Sequence, residues 1–442
     1  MSPEEYIKHV LFELFLGIDL HDFTFSKEKS NVILSRGGKR LTLNNTFLSN
    51  PDLFEFDKKN LPHTPLKKID VREHAIFSNL DCEKLPIIYG TDSFAIDDNG
   101  IALDVDIFGS CFFMLTRYEE LVSKERDHHD RFPARASLAF KEGFLERPIV
   151  DEYVEVLWSC MKFLWPELER KTNEFRQYVS CDIDWLYDVR NKWPNVLKRL
   201  GGDIVKRKSI TALATSLKHF FLGTNAYYDP FDFMIRTSNS MSNQLAFYLI
   251  ALDQKEKING DYNITDTIIK DLLLKFEKNN CEIGLHLSYN TFKDLEQARR
   301  ELNTLREVLK EAKVSDTISG GRQHYLRWSN PETPVIWNKL GMKYDSTLGY
   351  ADHIGFRAGT GREYPFYDLL SCRLLSVLIR PLLVMEVSMI EYMMLSPNEM
   401  IQRSVAIKNR CKQLNANFTL LWHNNFLDLP DRKRIFRKIL ES

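Results

Sequence analysis

The stretch CDIDW, residues 181–185, follows the strand-like run Gln177-Tyr178-Val179-Ser180 and decides how the chain is read. It sets Asp182 and Asp184 two positions apart. Side chains at i and i+2 of a strand point to one side of it. Where the strand gives way to a loop, one carboxylate can hold a metal ion while the other stays free as a base. That division of labour suits metal-assisted hydrolysis. Taken alone, such a stretch is more often a strand end whose aspartates only cap a turn.

Working outward, three polar clusters close apolar segments: EIGLHLSYNT (282–291), GGRQHYLRW (320–328) and TLLWHNN (419–425). The segment KYDSTLGYADHIGFRAGT (343–360) lies between the last two. Each cluster puts Asp, His, Arg or Tyr just after an expected strand. Parallel α/β folds collect their active sites at the carboxyl ends of strands, so the coincidence is more specific than any one cluster.

In order and chemistry, CDIDW, GLHLSYN, RQHY, YDSTLGY and LLWH resemble the motifs of the polysaccharide deacetylases, the NodB-like superfamily also known as carbohydrate esterase family four. The resemblance runs from residue 178 to the end of the chain. HYLRW, the 343–360 segment and LLWHNN are similar to a bacterial branch linked to surface polysaccharides. So are DIFGSCFFMLTRYEEL (106–121) and GFLERPIVDEY (143–153), which match that branch's own N-terminal region. The resemblance implies an α/β fold: a distorted (β/α) barrel of the NodB-homology type with a smaller α+β N-terminal domain. The implied activity is metal-dependent removal of an N-acetyl group from a sugar of a surface polysaccharide or its precursor. An O-acetyl substrate is a close variant. An amidase acting on a small-molecule C–N bond and a non-catalytic glycan-binding homologue are the other readings.

Carried over residue by residue, the resemblance implies that Asp184 and His286 bind the metal and Asp182 is the general base. Arg322 would orient that base. The backbone N–H of Tyr325 would help stabilise the oxyanion, His423 would donate a proton to the departing amine, and Asp345 would pair with the His423 imidazolium. Many members carry a second histidine four positions after the first, and here that position is Asn290. The third ligand is therefore either Asn290 or His324, and imidazole is the better match for a transition metal. Zinc is the default cofactor, with iron, cobalt or nickel as alternatives. Trp185 and Trp422 flank catalytic positions and are candidates for stacking on a sugar, although tryptophan at strand ends is more often core. Arg357 is a substrate-contact candidate, and a buried Arg–carboxylate pair is the competing reading.

Composition narrows the partners. Lys+Arg total 60 against Asp+Glu 61, so no global field recruits nucleic acid or an anionic membrane. Hydrophobic content of 44% supports an ordinary globular core. Seven cysteines without a C-x-x-C pair argue against a disulfide framework and a structural zinc site. The N-terminal MSPEEYIKHVLFELFLG lacks the basic region and cleavage site of a signal peptide, and no apolar run reaches the ~20 residues of a membrane span. These features point to a cytoplasmic protein acting on a glycan or glycolipid precursor.

The expected organisation is an α+β domain over 1–148, a connecting helix within 149–174 and the catalytic barrel over 175–442. RDHHDRF (126–132) reads as a solvated loop rather than a metal site. Residues 188–232 form an insertion whose first part is basic, with Arg190, Lys192, Lys198, Arg199, Lys206, Arg207 and Lys208 against Asp203. A solvated helical hairpin is the plainer reading of it, and an arm for an anionic glycan the functional one.

Overall fold

A computed structural model describes residues 1–77, 84–171, 173–186, 229–241, 243–252 and 258–442. The basic arm of the insertion lies outside the described residues. The chain forms mixed α/β structure in two compact units. One comprises Met1–Arg176, Trp328–Leu383 and Ile407–Phe418; the other comprises Gln177–Arg327, Val384–Ala406 and Thr419–Ser442. Both units are assembled from separate segments, and the first break between them falls after Arg176.

In the N-terminal unit, strands β1 (Thr24–Glu28), β2 (Asn31–Arg36), β3 (Lys39–Asn44), β4 (Gly90–Asp97) and β5 (Gly100–Val105) form a sheet in the order β1-β2-β3-β5-β4. Helix α1 (Ile107–Leu115) is buried along its whole length, as its all-round apolar sequence requires. Asp106 caps it, accepting the Gly109 N–H at 2.6 Å on one oxygen and the Phe47 N–H at 2.8 Å on the other. Helix α2 (Tyr118–Val122) follows, then α3 (Ile149–Leu164). The sequence reading made α3 a connector. Its apolar face is packed into this unit: Tyr153 is fully buried, donates to the Pro86 carbonyl at 2.6 Å and accepts the Ile88 N–H at 3.1 Å.

The returning segment explains Arg357. Its guanidinium lies 2.6 Å and 2.9 Å from the two Glu120 oxygens and donates to the Gly349 carbonyl at 2.8 Å. Arg117 donates to Glu120 at 2.8 Å and to Glu119 at 2.6 Å. All four side chains are buried. Arg357 is thus an internal ion-pair residue, not the substrate contact expected, because a guanidinium engaged on this network is not presented to a ligand. Removing Arg357 takes two charge-assisted hydrogen bonds from the buried Glu120 and leaves its charge to Arg117 alone within this network. Arg357→Met is accordingly expected to destabilise the folded chain by about 3–5 kcal/mol, read as a lower urea midpoint. An unchanged midpoint would contradict this account.

The second unit carries the polar clusters. Strands β6 (Gln177–Ile183), β7 (Gln244–Leu249), β8 (Glu282–Leu287), β9 (Gly320–Gln323), β10 (Val384–Met385) and β11 (Phe418–Leu421) run in the order β9-β8-β7-β6-β11-β10. Pairings β6–β7, β7–β8, β8–β9 and β10–β11 are all parallel. β6 is buried at every position and β7 at all but its first, the pattern of strands covered on both faces. Helix α4 (Thr267–Lys278) buries Ile269, Leu272, Leu273 and Phe276, one stripe at helical spacing. The Phe276 ring stacks on Phe247 of β7 with centroids 3.9 Å apart. Helix α5 (Leu295–Ala312) is capped by Asp294, which accepts the Gln297 N–H at 3.0 Å. Full burial of each such aliphatic or aromatic side chain contributes about 1.5–3 kcal/mol. The strand order is linear, and no pairing among the described residues joins β9 to β10.

Candidate metal centre

Parallel packing brings the carboxyl ends of five strands together. β6 runs into Asp184, β8 carries His286, β9 carries Arg322 and leads to His324, β10 is followed by Glu386, and β11 leads to His423. In-register pairing of His286 with Arg322 sets these two at the same level.

Ser180, Asp182 and Asp184 follow the i, i+2, i+4 alternation of β6. Arg322 is buried and donates to Asp182 Oδ1 at 2.7 Å and to Ser180 Oγ at 2.9 Å. Its guanidinium lies over the Tyr248 ring at 5.1 Å. One oxygen of Asp182 is thus fixed by a charge-assisted bond. The other lies 3.8 Å from His286 Nε2.

Asp184 is the hub. Its Oδ1 lies 3.2 Å from His286 Nε2 and 3.5 Å from His324 Nε2, and its Oδ2 lies 3.5 Å from His423 Nε2. Ligand atoms of Asp184, His286 and His324 all fall within 4.8 Å of one another, and among the described residues this is the one such grouping of His, Cys, Asp or Glu. The far ring nitrogens set the tautomers. His286 Nδ1 lies 2.9 Å from the Arg322 carbonyl and His324 Nδ1 lies 3.1 Å from Asn259 Oδ1. Both partners accept, so Nδ1 carries the proton in each neutral ring and Nε2 turns a bare lone pair toward Asp184.

These residues fit a divalent cation. Asp184 Oδ1 and His286 Nε2 are buried without a hydrogen-bond partner. A buried unsatisfied polar group costs roughly 1–3 kcal/mol, which a shared cation would offset. One carboxylate with two imidazoles, leaving positions open, is the donor set of a catalytic transition-metal site. Burial works to raise the Asp184 pKa, but His324, His286 and His423 outweigh it and hold the carboxyl well below its usual range. Burial is also the main influence on His324, pushing its imidazole down toward the neutral, ligating form.

His423 is built differently. Glu386 is fully buried, and its Oε1 lies 2.6 Å from His423 Nδ1 and accepts the His423 backbone N–H at 3.0 Å. Burial opposes the imidazolium, yet Glu386 and then Asp184 raise the His423 pKa to about 10. A charged histidine therefore stands opposite His324, which burial pushes toward the neutral form, while Asp182 and Asp184 outweigh burial at His286 and push its imidazole up.

Asn290 is exposed at the cap of the turn Thr291–Lys293, whereas His324 is buried within the cluster. Tyr325 takes φ +60°, is 37% exposed, and sets its ring edge-on to Tyr289 with centroids 5.3 Å apart. Left-handed backbone at a non-glycine residue is a local strain often found at functional sites. Trp185 is also part-exposed. Trp422 is fully buried with its ring 5.6 Å from Phe436, so of its two readings it takes the core one and is not a sugar platform. Asp345 belongs to the N-terminal unit, where it accepts the Thr347 N–H at 2.8 Å and Trp328 Nε1–H at 3.2 Å. The carboxylate on His423 Nδ1 is that of Glu386, not Asp345. Sequence reasoning missed Glu386 and Asn259. The signal for Glu386 was that it is the only charge between Arg380 and Glu391, in a run that is apolar but for Ser388.

A family of unknown function (DUF7033) matches residues 2–166. No curated protein matches the chain. Among solved structures, similarity is found to a "putative polysaccharide deacetylase from Mycobacterium smegmatis". The identity is 15% and the TM-score 0.40, covering 61% of this chain and 84% of that one. Likeness at this level does not by itself establish a shared fold. No helix among the described residues is long and apolar enough to cross a membrane.

Proposed function

We propose that this chain is a metal-dependent hydrolase that removes an N-acetyl group from a sugar of a bacterial surface polysaccharide or its precursor. The observation that carries this reading is the convergence of Asp184, His286 and His324, two with orphaned buried atoms, beside an arginine-clamped Asp182 and a carboxylate-held His423.

An amide is a poor electrophile with a poor leaving group, so its hydrolysis needs an activated water, a sink for charge on oxygen and an acid for nitrogen. A divalent ion, zinc by default, supplies the first by lowering the pKa of water toward about 7, and shares in the second. The chain supplies the rest. Asp182 takes the proton from the attacking water while Arg322 keeps its carboxylate in place. The Tyr325 backbone N–H, on the motif resemblance, is the protein's donor to the oxyanion; such donors are worth about 3–4 kcal/mol. His423, held as imidazolium by Glu386, gives its proton to the amine as the C–N bond breaks. Trp185 and Tyr325 offer part-exposed aromatic faces on which a sugar ring can stack. The substrate class rests on the motif resemblance.

Elemental analysis of the purified protein tests the reading before any sugar is guessed. The expected result is about one transition metal per chain, lost in Asp184→Ala and in His286→Ala. Acetate release from N-acetylated oligosaccharides would then follow the metal content. A wild-type chain that stays metal-free after reconstitution with zinc, cobalt or iron would overturn the hydrolase reading in favour of a glycan-binding protein.

A further inference from the structure

Four consecutive residues, Asn259, Gly260, Asp261 and Tyr262, grip the metal centre without belonging to it. Tyr262 donates its hydroxyl proton to the Ile183 carbonyl at 2.8 Å and accepts the Ile250 N–H at 2.9 Å, which ties the end of β6 to the end of β7. Asp261 Oδ1 accepts the Leu186 N–H at 2.7 Å. Gly260 takes φ +109°, and a Cβ there would sit 2.1 Å from the Asp184 carbonyl oxygen. Only glycine allows both that backbone and that approach. The backbone is therefore held on both sides of Asp184.

Asn259 acts on the other ligand. It is buried, and its Oδ1 accepts the Tyr289 N–H at 2.8 Å as well as facing His324 Nδ1 at 3.1 Å. The backbone N–H can only donate, so the amide oxygen, not the nitrogen, faces the histidine. That oxygen requires the proton on Nδ1 and bares Nε2.

On the reading of this centre as a metal site, we infer that residues 259–262 are its positioning element. Asn259 is the positioning residue that makes His324 a ligand, in place of the exposed Asn290. Partners of this kind fix the ring orientation and tautomer of metal-bound histidines, and their loss lowers metal affinity by about 10–100-fold.

The test measures zinc affinity of the full chain by competition with a chromophoric chelator, beside the absorption spectrum of the cobalt-substituted protein. Asn259→Leu keeps the volume and removes the acceptor; it is expected to weaken zinc binding by about 10–100-fold and to alter the cobalt spectrum. Asn259→Asp restores an acceptor and is expected to bind zinc within about threefold of wild type. A purely structural Asn259 would lower the thermal midpoint of the metal-free Leu variant while leaving both metal readouts at wild-type values, and that result overturns the inference. If Asn259→Leu does not fold, histidine 15N spectra of the metal-free wild type decide, with the His324 signal assigned by its loss in His324→Gln. An Nδ1–H tautomer supports the assignment, and an Nε2–H tautomer overturns it. Failure of the wild type itself to bind zinc would overturn the metal reading and this inference together, a result distinct from wild-type binding that Asn259→Leu leaves unchanged.

Discussion

Glu386→Gln is expected to lower the rate of N-acetyl hydrolysis by about 10²–10⁴-fold, the usual worth of a general acid, while Asp345→Asn leaves it within about tenfold. Glutamine keeps the shape of the side chain and an acceptor for the His423 backbone N–H, but removes the charge that favours the imidazolium. Burial alone pushes His423 down, so without Glu386 its pKa falls from about 10 and the alkaline limb of the pH–rate profile moves to lower pH. Stability must follow the same sign. A histidine whose folded pKa is raised stabilises the fold fully below its unfolded pKa of about 6.5, and that contribution fades as pH climbs toward about 10. Denaturant midpoints of the metal-free wild type should therefore fall across that window more steeply than those of Glu386→Gln. Equal slopes, or a larger rate loss in Asp345→Asn, would remove Glu386 from the mechanism.

The second large effect separates base from ligand. Asp182→Asn is expected to retain the metal yet lose about 10²–10⁴-fold in rate, because an amide cannot take the water's proton. Arg322 remains beside it with no carboxylate to hold, so an added loss of stability of a few kcal/mol is expected from the unpaired buried guanidinium. Asp184→Asn should instead lose metal and activity together. Metal analysis and initial rates on the same preparations distinguish the two aspartates. If Asp182→Asn also emptied the site, Asp182 would be a ligand and the base would lie elsewhere.

The positions of the polar clusters were legible because they are local. Two aspartates at spacing two must share one face of a strand, and the apolar runs Gln177–Ile183, Gln244–Leu249 and Glu282–Leu287 mark buried parallel strands whose ends carry them. His286, Arg322 and His423 each follow or close such a run, so their meeting needs only that the strands lie parallel. How far the sheet curls was not legible in this way: alternation of helix and strand is common to open and closed sheets, and only pairing distinguishes them.

Other assignments depended on contacts between residues far apart in the chain. Asp345 and Glu386 are both carboxylates near the ends of short strands, and nothing local tells which will face an imidazole 37 residues or more away. The exposure of Asn290 against the burial of His324 is a matter of how the loops fold over β8 and β9. Arg357 and Trp422 each admitted a buried role and a sugar-site role because charge and aromaticity suit both, and only packing decided for the buried one. By itself, then, the sequence determined which chemistry stands at the strand ends, since strand periodicity is a property of neighbours. The tertiary structure decided which of those groups face one another, which are buried, and that Asn259 and Glu386 hold the histidines, because side-chain pairing across the chain is set by packing and leaves no local trace.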